Sequence, residues 1–204
     1  VVPPEALADA VGWLEVRLRA SSLARTAAES AARVAAVVEA VKGYTRVGEA
    51  AVVQMDLNQA LQSTLVVLAP RLAGVVVEQE LAADMPAVRG YAGELNQVWA
   101  ALLENASDAL EGRRGRVKVS TSRVGEQACV AVEDDGPGIP PEVQGRIFDP
   151  FFTTREVGRG TGLGLSTAFR VVSEHGGTLQ FRSRPGCTVF EVRLPFDPPL
   201  PAEP

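Results

Sequence analysis

The second half of the chain carries the residues that could do chemistry together. Asp134 closes an apolar run, Cys129-Val130-Ala131-Val132, that reads as a strand, and it opens onto a tight turn, Gly136-Pro137-Gly138. A carboxylate at a strand end beside such a turn suits an exocyclic amine such as that of adenine. Further on, Gly158-Arg159-Gly160-Thr161-Gly162-Leu163-Gly164-Leu165 runs into the helical stretch LGLSTAFRVVSEHGG. Glycines let backbone amides approach a ligand and take positive φ. A loop running into a helix presents unpaired N–H groups at the positive end of the helix dipole. Gly160 to Gly164 are therefore expected to form a phosphate cradle. Upstream, Glu104-Asn105-Ala106-Ser107-Asp108-Ala109-Leu110 sits on an amphipathic helix with Leu102, Leu103, Ala106 and Leu110 as its apolar surface. The amide oxygen of Asn105 can ligate Mg²⁺, which otherwise holds phosphate oxygens and waters. Asp108, at i+3, shares roughly the same face. Either glycine cluster alone reads equally well as a pair of tight turns around a flexible loop. Their ordered combination with Asn105 is what points to a nucleotide.

The elements that must position these residues follow from patterning. Glu5 to Ala20 reads as helix, and a second helical run carries Leu23, Ala27, Ser30, Val34, Val37, Val41 and Tyr44 in alternating steps of four and three. That is a coiled-coil-like seam. It suits a helix packed on its own domain or, with its position before the glycine-rich region, one helix of a dimerisation hairpin. Gly43 and Gly48 place a boundary near Arg46 to Ala50, so 1–47 is expected as a helical segment and 48–197 as the main domain. Strands are expected at Val52–Leu57, Val75–Leu81, Val117–Arg123, Gln127–Glu133, Thr178–Ser183 and Thr188–Leu194. Helices are expected at Asn58–Ala69, Tyr91–Glu111 and Leu163–His175, with Met85–Arg89 as an extended link. Hairpins mixed with helices give an α+β class, a two-layer sandwich rather than a parallel α/β wind. The proline-rich end, 198–204, is expected to lack order.

Composition narrows the function classes. With 204 residues, 46% of them apolar, the chain can fill one full domain and a smaller element. A net charge of −5 and no basic run argue against a nucleic-acid surface. Cys129 and Cys187 fall in expected strands without metal spacing and read as reduced core residues of a cytoplasmic protein. No apolar run approaches the roughly 20 residues of a membrane span. No signal peptide is visible. The chain does not begin with Met and is expected to be a C-terminal piece of a longer protein.

A set of ordered motifs carries a family resemblance. ENASDAL resembles the N box of the ATP-binding domain of sensor histidine kinases, within the GHKL superfamily that also includes gyrase and MutL. DDGPGIP is similar to the first glycine box, FDPFFTT to the F box and GRGTGLGLS to the second glycine box. HGGT, at His175 to Thr178, and GCTVF, at Gly186 to Phe190, resemble the closing motifs. The resemblance covers roughly Val52 to Pro195. It implies a GHKL (Bergerat) sandwich with a mixed sheet that binds ATP and Mg²⁺, with Asn105 as metal ligand. It places Asp134 at the adenine, with Thr188 helping to hold Asp134 and a bridging water, and Asp108 at the border of the nucleotide. Gly136, Gly138, Ile139, Phe148, Thr153 and Thr154 are carried over as nucleotide contacts. So are Gly158, Gly160, Thr161, Gly162, Leu163, Gly164 and Leu165. Arg155 sits where relatives often carry a phosphate-facing cation. Phe148, Phe151 and Phe152 are expected to pack and to anchor a lid from Thr153 to Gly160, and Asp135 to face solvent. The implied partners are a second copy through the N-terminal helices, an upstream sensor domain and the receiver domain of a response regulator.

Two departures bear on activity. Gyrase-like relatives place a Glu four residues before the metal Asn, and here that residue is Ala101. Glu104 does not substitute simply, because adjacent helix residues point about 100° apart. Without a carboxylate there to orient water, efficient ATP hydrolysis is not expected. The only histidine is His175, at the end of the helix after the second glycine box, where it suits a helix C-terminus. The reading that follows is the ATP-binding domain of a two-component kinase whose phosphoacceptor His lies outside this chain. The alternatives are an ATP-sensing module without phosphotransfer and, against Ala101, a gyrase-like ATPase.

Overall fold

The structure, a computed structural model, describes Arg17, Arg19 and Leu23, all helical, and residues 52–110, 113–155 and 161–198. The chain divides into two units, Val1–Glu39 and Ala40–Pro204, and the second holds all the glycine-rich motifs. Apart from Leu23, the expected coiled-coil seam, the dimerisation it implies and the boundary at 47/48 lie outside the described residues. So does the tail from 199 onward.

In the second unit the order is β1 (Val52–Met55), α1 (Leu57–Leu68), β2 (Val76–Glu80), β3 (Val88–Tyr91), α2 (Ala92–Ala109), β4 (Arg116–Val124) and β5 (Gln127–Asp134). It continues with α3 (Pro141–Gln144), α4 (Gly164–Glu174), β6 (Thr178–Arg184) and β7 (Cys187–Pro195). Five strands form one sheet in the order β2-β4-β5-β7-β6, with β2 parallel to β4 and the other neighbours antiparallel. The sheet is thus mixed, as expected. Its strands alternate: Val117 and Val119, Val130 and Val132, and Phe190, Val192 and Leu194 bury against the helices. The residues between them carry ion pairs on the opposite face, including Lys118–Glu80 at 2.8 Å and Arg193–Glu191 at 2.7 Å. The helical layer contributes Leu57, Leu61, Leu95, Trp99, Leu102, Leu103, Val171 and Val172. Each such side chain contributes about 1.5–3 kcal/mol by leaving water. No helix among the described residues is long and apolar enough to cross a membrane.

Local differences from the sequence reading have physical causes. The first strand stops at Met55 because Asp56 caps α1, its carboxylate accepting from the Gln59 amide at 3.1 Å. The extended link expected over Met85–Arg89 ends in a true strand, since Val88–Tyr91 pairs antiparallel with β1. The short helix α3 lacks an apolar stripe and left no periodic signal. After β7 the Phe196 carbonyl accepts from the Arg89 amide, Asp197 pairs with Arg89 and Pro198 is buried. Both cysteines are free, but only Cys129 is buried; Cys187 is half-buried.

His175 has a structural explanation. It is fully buried, its Nδ1 lies 2.8 Å from the Val171 carbonyl, and its Nε2 accepts from the Tyr91 amide at 3.0 Å. A carbonyl only accepts and an amide only donates, which fixes the proton on Nδ1. The ring ties the end of α4 to the end of β3, and a Cβ at Gly90 would come within 2.9 Å of it. Both nitrogens are engaged out of reach of a phosphoryl donor. Replacing His175 with Ala removes the ring acceptor of the Tyr91 N–H and opens a cavity, while the Val171 carbonyl keeps the backbone amide of residue 175 at 3.1 Å, and should cost about 2–4 kcal/mol. Urea unfolding checks this: the midpoint should fall while the slope stays unchanged.

Candidate functional site

The expected residues converge on one cavity of about 320 Å³. One side is α2, presenting Ala101, Glu104, Asn105, Asp108 and Ala109. The sheet contributes Asp134 from the end of β5 and Thr188 from β7, directly opposite one another in register. The loop Pro137–Pro140 closes one end, and Phe152–Arg155 with Thr161, Gly162, Gly164 and Leu165 form the other.

Of the residues carried over, Asn105, Asp108, Asp134, Gly138, Ile139, Thr153, Thr154, Arg155, Thr161, Gly162, Gly164, Leu165 and Thr188 line this cavity. Three described ones do not. Phe148 turns away into an aromatic cluster, 5.1 Å from Phe169 and 5.8 Å from Phe181 between ring centres. Its size and apolarity are used for packing, and Phe152 takes the place on the wall. Leu163 is partly exposed where α4 begins. Gly136 acts from behind: its amide donates to Asp134 Oδ1 at 3.0 Å, and its carbonyl accepts from the Gly186 amide at 3.0 Å. Gly158 and Gly160, with most of the expected lid, lie outside the described residues. Asp135 is exposed, as expected, but it also works: its carboxylate accepts from the Arg116 amide at 2.7 Å.

Close approach explains the glycines that matter. Gly138 has φ +83°, and a Cβ there would meet the Arg184 carbonyl at 2.6 Å. Gly162, at φ +66°, lies against the backbone of Phe151, where a Cβ would come to 2.4 Å. Phe151 itself takes φ 66°, rare for a bulky residue, and donates its amide to the Gly162 carbonyl at 2.9 Å. The aromatic turn and the second glycine cluster are therefore stitched together, and the stitch sets where α4 begins. No side chain caps α4 and no acidic residue occupies its first turn. Its first amides are left for an anion.

Charge is concentrated on one side. Asp108 is ion-paired with Arg155 across the cavity and with Arg71 at 3.2 Å on its outer side. Arg71 also holds Glu104 at 2.8 Å, and its carbonyl accepts from the Ser107 hydroxyl at 2.9 Å. Sequence reasoning missed Arg71, because nothing in local spacing links it to an acid 37 residues on. It also missed Ser183, whose hydroxyl lies 2.9 Å from that of Thr188 and accepts from the Ile139 amide at 2.8 Å. The hairpin register of β6 and β7 could have found it, since the two face each other. Where gyrase-like relatives carry Glu, the wall has the methyl group of Ala101.

Residues 90–198 match the family model described as histidine kinase-, DNA gyrase B- and HSP90-like ATPase. The chain belongs to this family. Among curated relatives, the sensory histidine kinase/phosphatase NtrB of Rhodobacter capsulatus is 36% identical over 139 residues, 62% of this chain and 38% of that protein. The two-component sensor PprA of Pseudomonas aeruginosa is 36% identical over 178 residues, 83% of this chain and 19% of its own length. The chain thus spans well under half of either relative. Among solved structures, the nucleotide-free catalytic domain of the histidine kinase ThkA superposes with a TM-score of 0.65 at 28% identity, covering 72% of this chain and 97% of that one. Membership in this ATPase family implies nucleotide use, and the residues present fit a nucleotide: a buried acceptor, glycine-lined loops and uncapped helix amides on one cavity. Among the described residues no three acidic, His or Cys side chains converge on a metal. A divalent cation here would rely on Asn105 and on oxygens that the nucleotide brings.

The electrostatics of Asp134 are unusual for its type. The side chain is only 2% exposed, and burial pushes its carboxyl up to about 6. The Gly136 amide opposes this, while Asp135 and Glu133 add to it. The unfolded group titrates near 3.8. Between these values the folded domain holds a proton that the unfolded chain has released, so the ligand-free domain loses stability as pH rises through that window. A shift of this size corresponds to about 3 kcal/mol. Denaturant midpoints followed from pH 4 to about 7 should show the loss, and Asp134→Asn, which cannot ionise, should flatten it.

Proposed function

We propose that this domain binds Mg-ATP and delivers its γ-phosphoryl group to a histidine outside this chain, as part of a two-component sensor kinase. The observation that carries the reading is the convergence of Asn105, Asp134 and Thr188 with the glycine-rich loop before α4 on one cavity. Asp134, as carboxylate, accepts from the exocyclic amine of adenine, and Thr188 beside it supports the same edge of the base. The backbone at Gly138 and Ile139 gives the ring close passage. The amides at the start of α4 take phosphate oxygens. Asn105 would hold Mg²⁺ through its amide oxygen, and the cation would supply neutralisation of phosphate charge. Arg155 exchanges its ion pair with Asp108 for a phosphate oxygen. Asp108 keeps Arg71 when Arg155 leaves, so it is not stranded without a cation.

These residues position the ends of the reaction and stabilise its charge. The bond from the γ-phosphorus to the bridging oxygen breaks, a P–N bond to imidazole forms, and ADP leaves. An imidazole nitrogen is itself nucleophilic, so the methyl of Ala101 is no handicap to transfer, whereas it offers nothing to orient water for hydrolysis. By the same reading the phosphoryl group passes on to an aspartate of a response regulator, the N-terminal helices pair two copies, an upstream domain supplies the signal, and the domain works in the cytoplasm. The second reading, a domain that binds ATP without transferring phosphate, is favoured by the burial of His175, the only histidine.

Phosphotransfer from γ-labelled ATP separates the two. The chain alone should take up no label. Mixed with its native upstream segment, it should place acid-labile label on that segment, and Asn105→Ala should abolish this. No label despite tight Mg-ATP binding would favour the sensing module.

A further inference from the structure

Ser183 touches the cavity from behind. It does not line the cavity, yet it contacts two residues that do: its hydroxyl accepts from the Ile139 amide at 2.8 Å and lies 2.9 Å from the Thr188 hydroxyl. In register, Ser183 faces Thr188 and Thr188 faces Asp134, so the three polar residues form one row across β6, β7 and β5. The direction of hydrogen bonding along the row follows from its ends. The Ile139 amide can only donate, and an ionised Asp134 can only accept. Two hydroxyls in series between them have one proton each. The order that turns a donor rather than lone pairs toward the ionised carboxylate has Ser183 donating to Thr188, which keeps its own proton for the Asp134 end of the row.

From this geometry we infer that Ser183 is a positioning residue that makes the site selective for a 6-amino purine over a 6-oxo purine. The inference rests on reading the cavity as an adenine-nucleotide site, and deepens it. With Thr188 fixed by Ser183, the hydroxyl cannot turn to serve a 6-oxo group, and the Asp134 carboxylate repels one. Removing the Ser183 hydroxyl leaves Thr188 Oγ1 free to rotate and to offer its proton to a 6-oxo base. The loop at Gly136 to Ile139 stays seated without Ser183. The Gly186 amide still donates to the Gly136 carbonyl at 3.0 Å, and Gly138 still lies flush against the Arg184 carbonyl. The effect is therefore on the choice of base rather than on the presence of the loop.

The test is calorimetric titration of the full chain with Mg-ADP and with Mg-IDP, for the native sequence and for S183A and S183T. Both nucleotides share the same phosphates and ribose, so the ratio of their affinities reads the base alone. The native protein should prefer ADP. S183A should weaken ADP about three- to tenfold, the range of one hydrogen bond, with IDP nearly unchanged. S183T, which restores a hydroxyl, should restore the preference. S183C, close to Ser in size but a weak hydrogen-bonding group, should shift the ratio in the same direction as S183A and serves if S183A does not fold. Equal weakening of both nucleotides would mark Ser183 as merely structural and overturn the inference, as would an unchanged ratio. Failure of the native protein to bind ADP would instead overturn the nucleotide reading itself, and the inference with it.

Discussion

The buried carboxylate of Asp134 is the constraint around which the site is built. A carboxylate only 2% exposed is costly to keep charged, and no cation among the described residues offsets the cost. The Gly136 amide, available because the chain turns sharply after β5, donates to it at 3.0 Å. A Cβ at Gly136 would sit 2.6 Å from Asp134 Oδ1, so the donor can come this close only from a glycine. The remaining acceptor capacity points to the cavity, where a ligand donor would relieve the cost. The site is thus electrostatically incomplete without a partner that donates to it.

The sheet and the helical layer meet this constraint from two sides. β5 and β7 hold Asp134 opposite Thr188, and the β6–β7 hairpin braces the glycine loop through contacts at Ser183, Arg184 and Gly186. α2 is anchored by Trp99, Leu102 and Leu103 on its buried side, which aims Asn105 and Asp108 at the cavity. His175 locks the far end of α4 to β3, fixing the helix whose opposite end lines the cavity. Rigid elements therefore carry Asp134, Thr188 and Asn105, while the glycine-lined end of the cavity depends on backbone that glycine allows to pass close.

The ion pairs on α2 work differently from that rigid frame. Asp108 lies between two guanidinium groups, one from the end of the α1 region and one from the loop after the aromatic turn. Pairs this close to solvent add little to stability. Under the proposed function their value lies in exchange, because a polyphosphate can take one guanidinium while the other stays on the acid. The same pairing keeps Glu104, the carboxylate next to Asn105, engaged with Arg71 at 2.8 Å.

Much of the domain could be read directly from the residues. Period-two and helical alternation located nearly every strand and helix, and the glycine clusters with Asn105 and Asp134 marked the cavity. These signals are local, set by backbone conformation and by which face of an element is apolar. Phe148 was expected both to pack and to contact nucleotide, because aromatic rings in a motif serve either purpose, and the packing shows only in its neighbours Phe169 and Phe181. Arg71 and Ser183 gave no local sign, since each acquires its role from residues on other elements. The strand at Val88–Tyr91 likewise exists because β1 pairs with it. The sequence by itself determined the α+β class, the family and which residues would gather at the cavity. Tertiary structure alone decided which charges pair, which hydroxyls line up behind Asp134 and how far its carboxyl is driven from its ordinary pKa, because those depend on distances and burial that chain neighbours do not set.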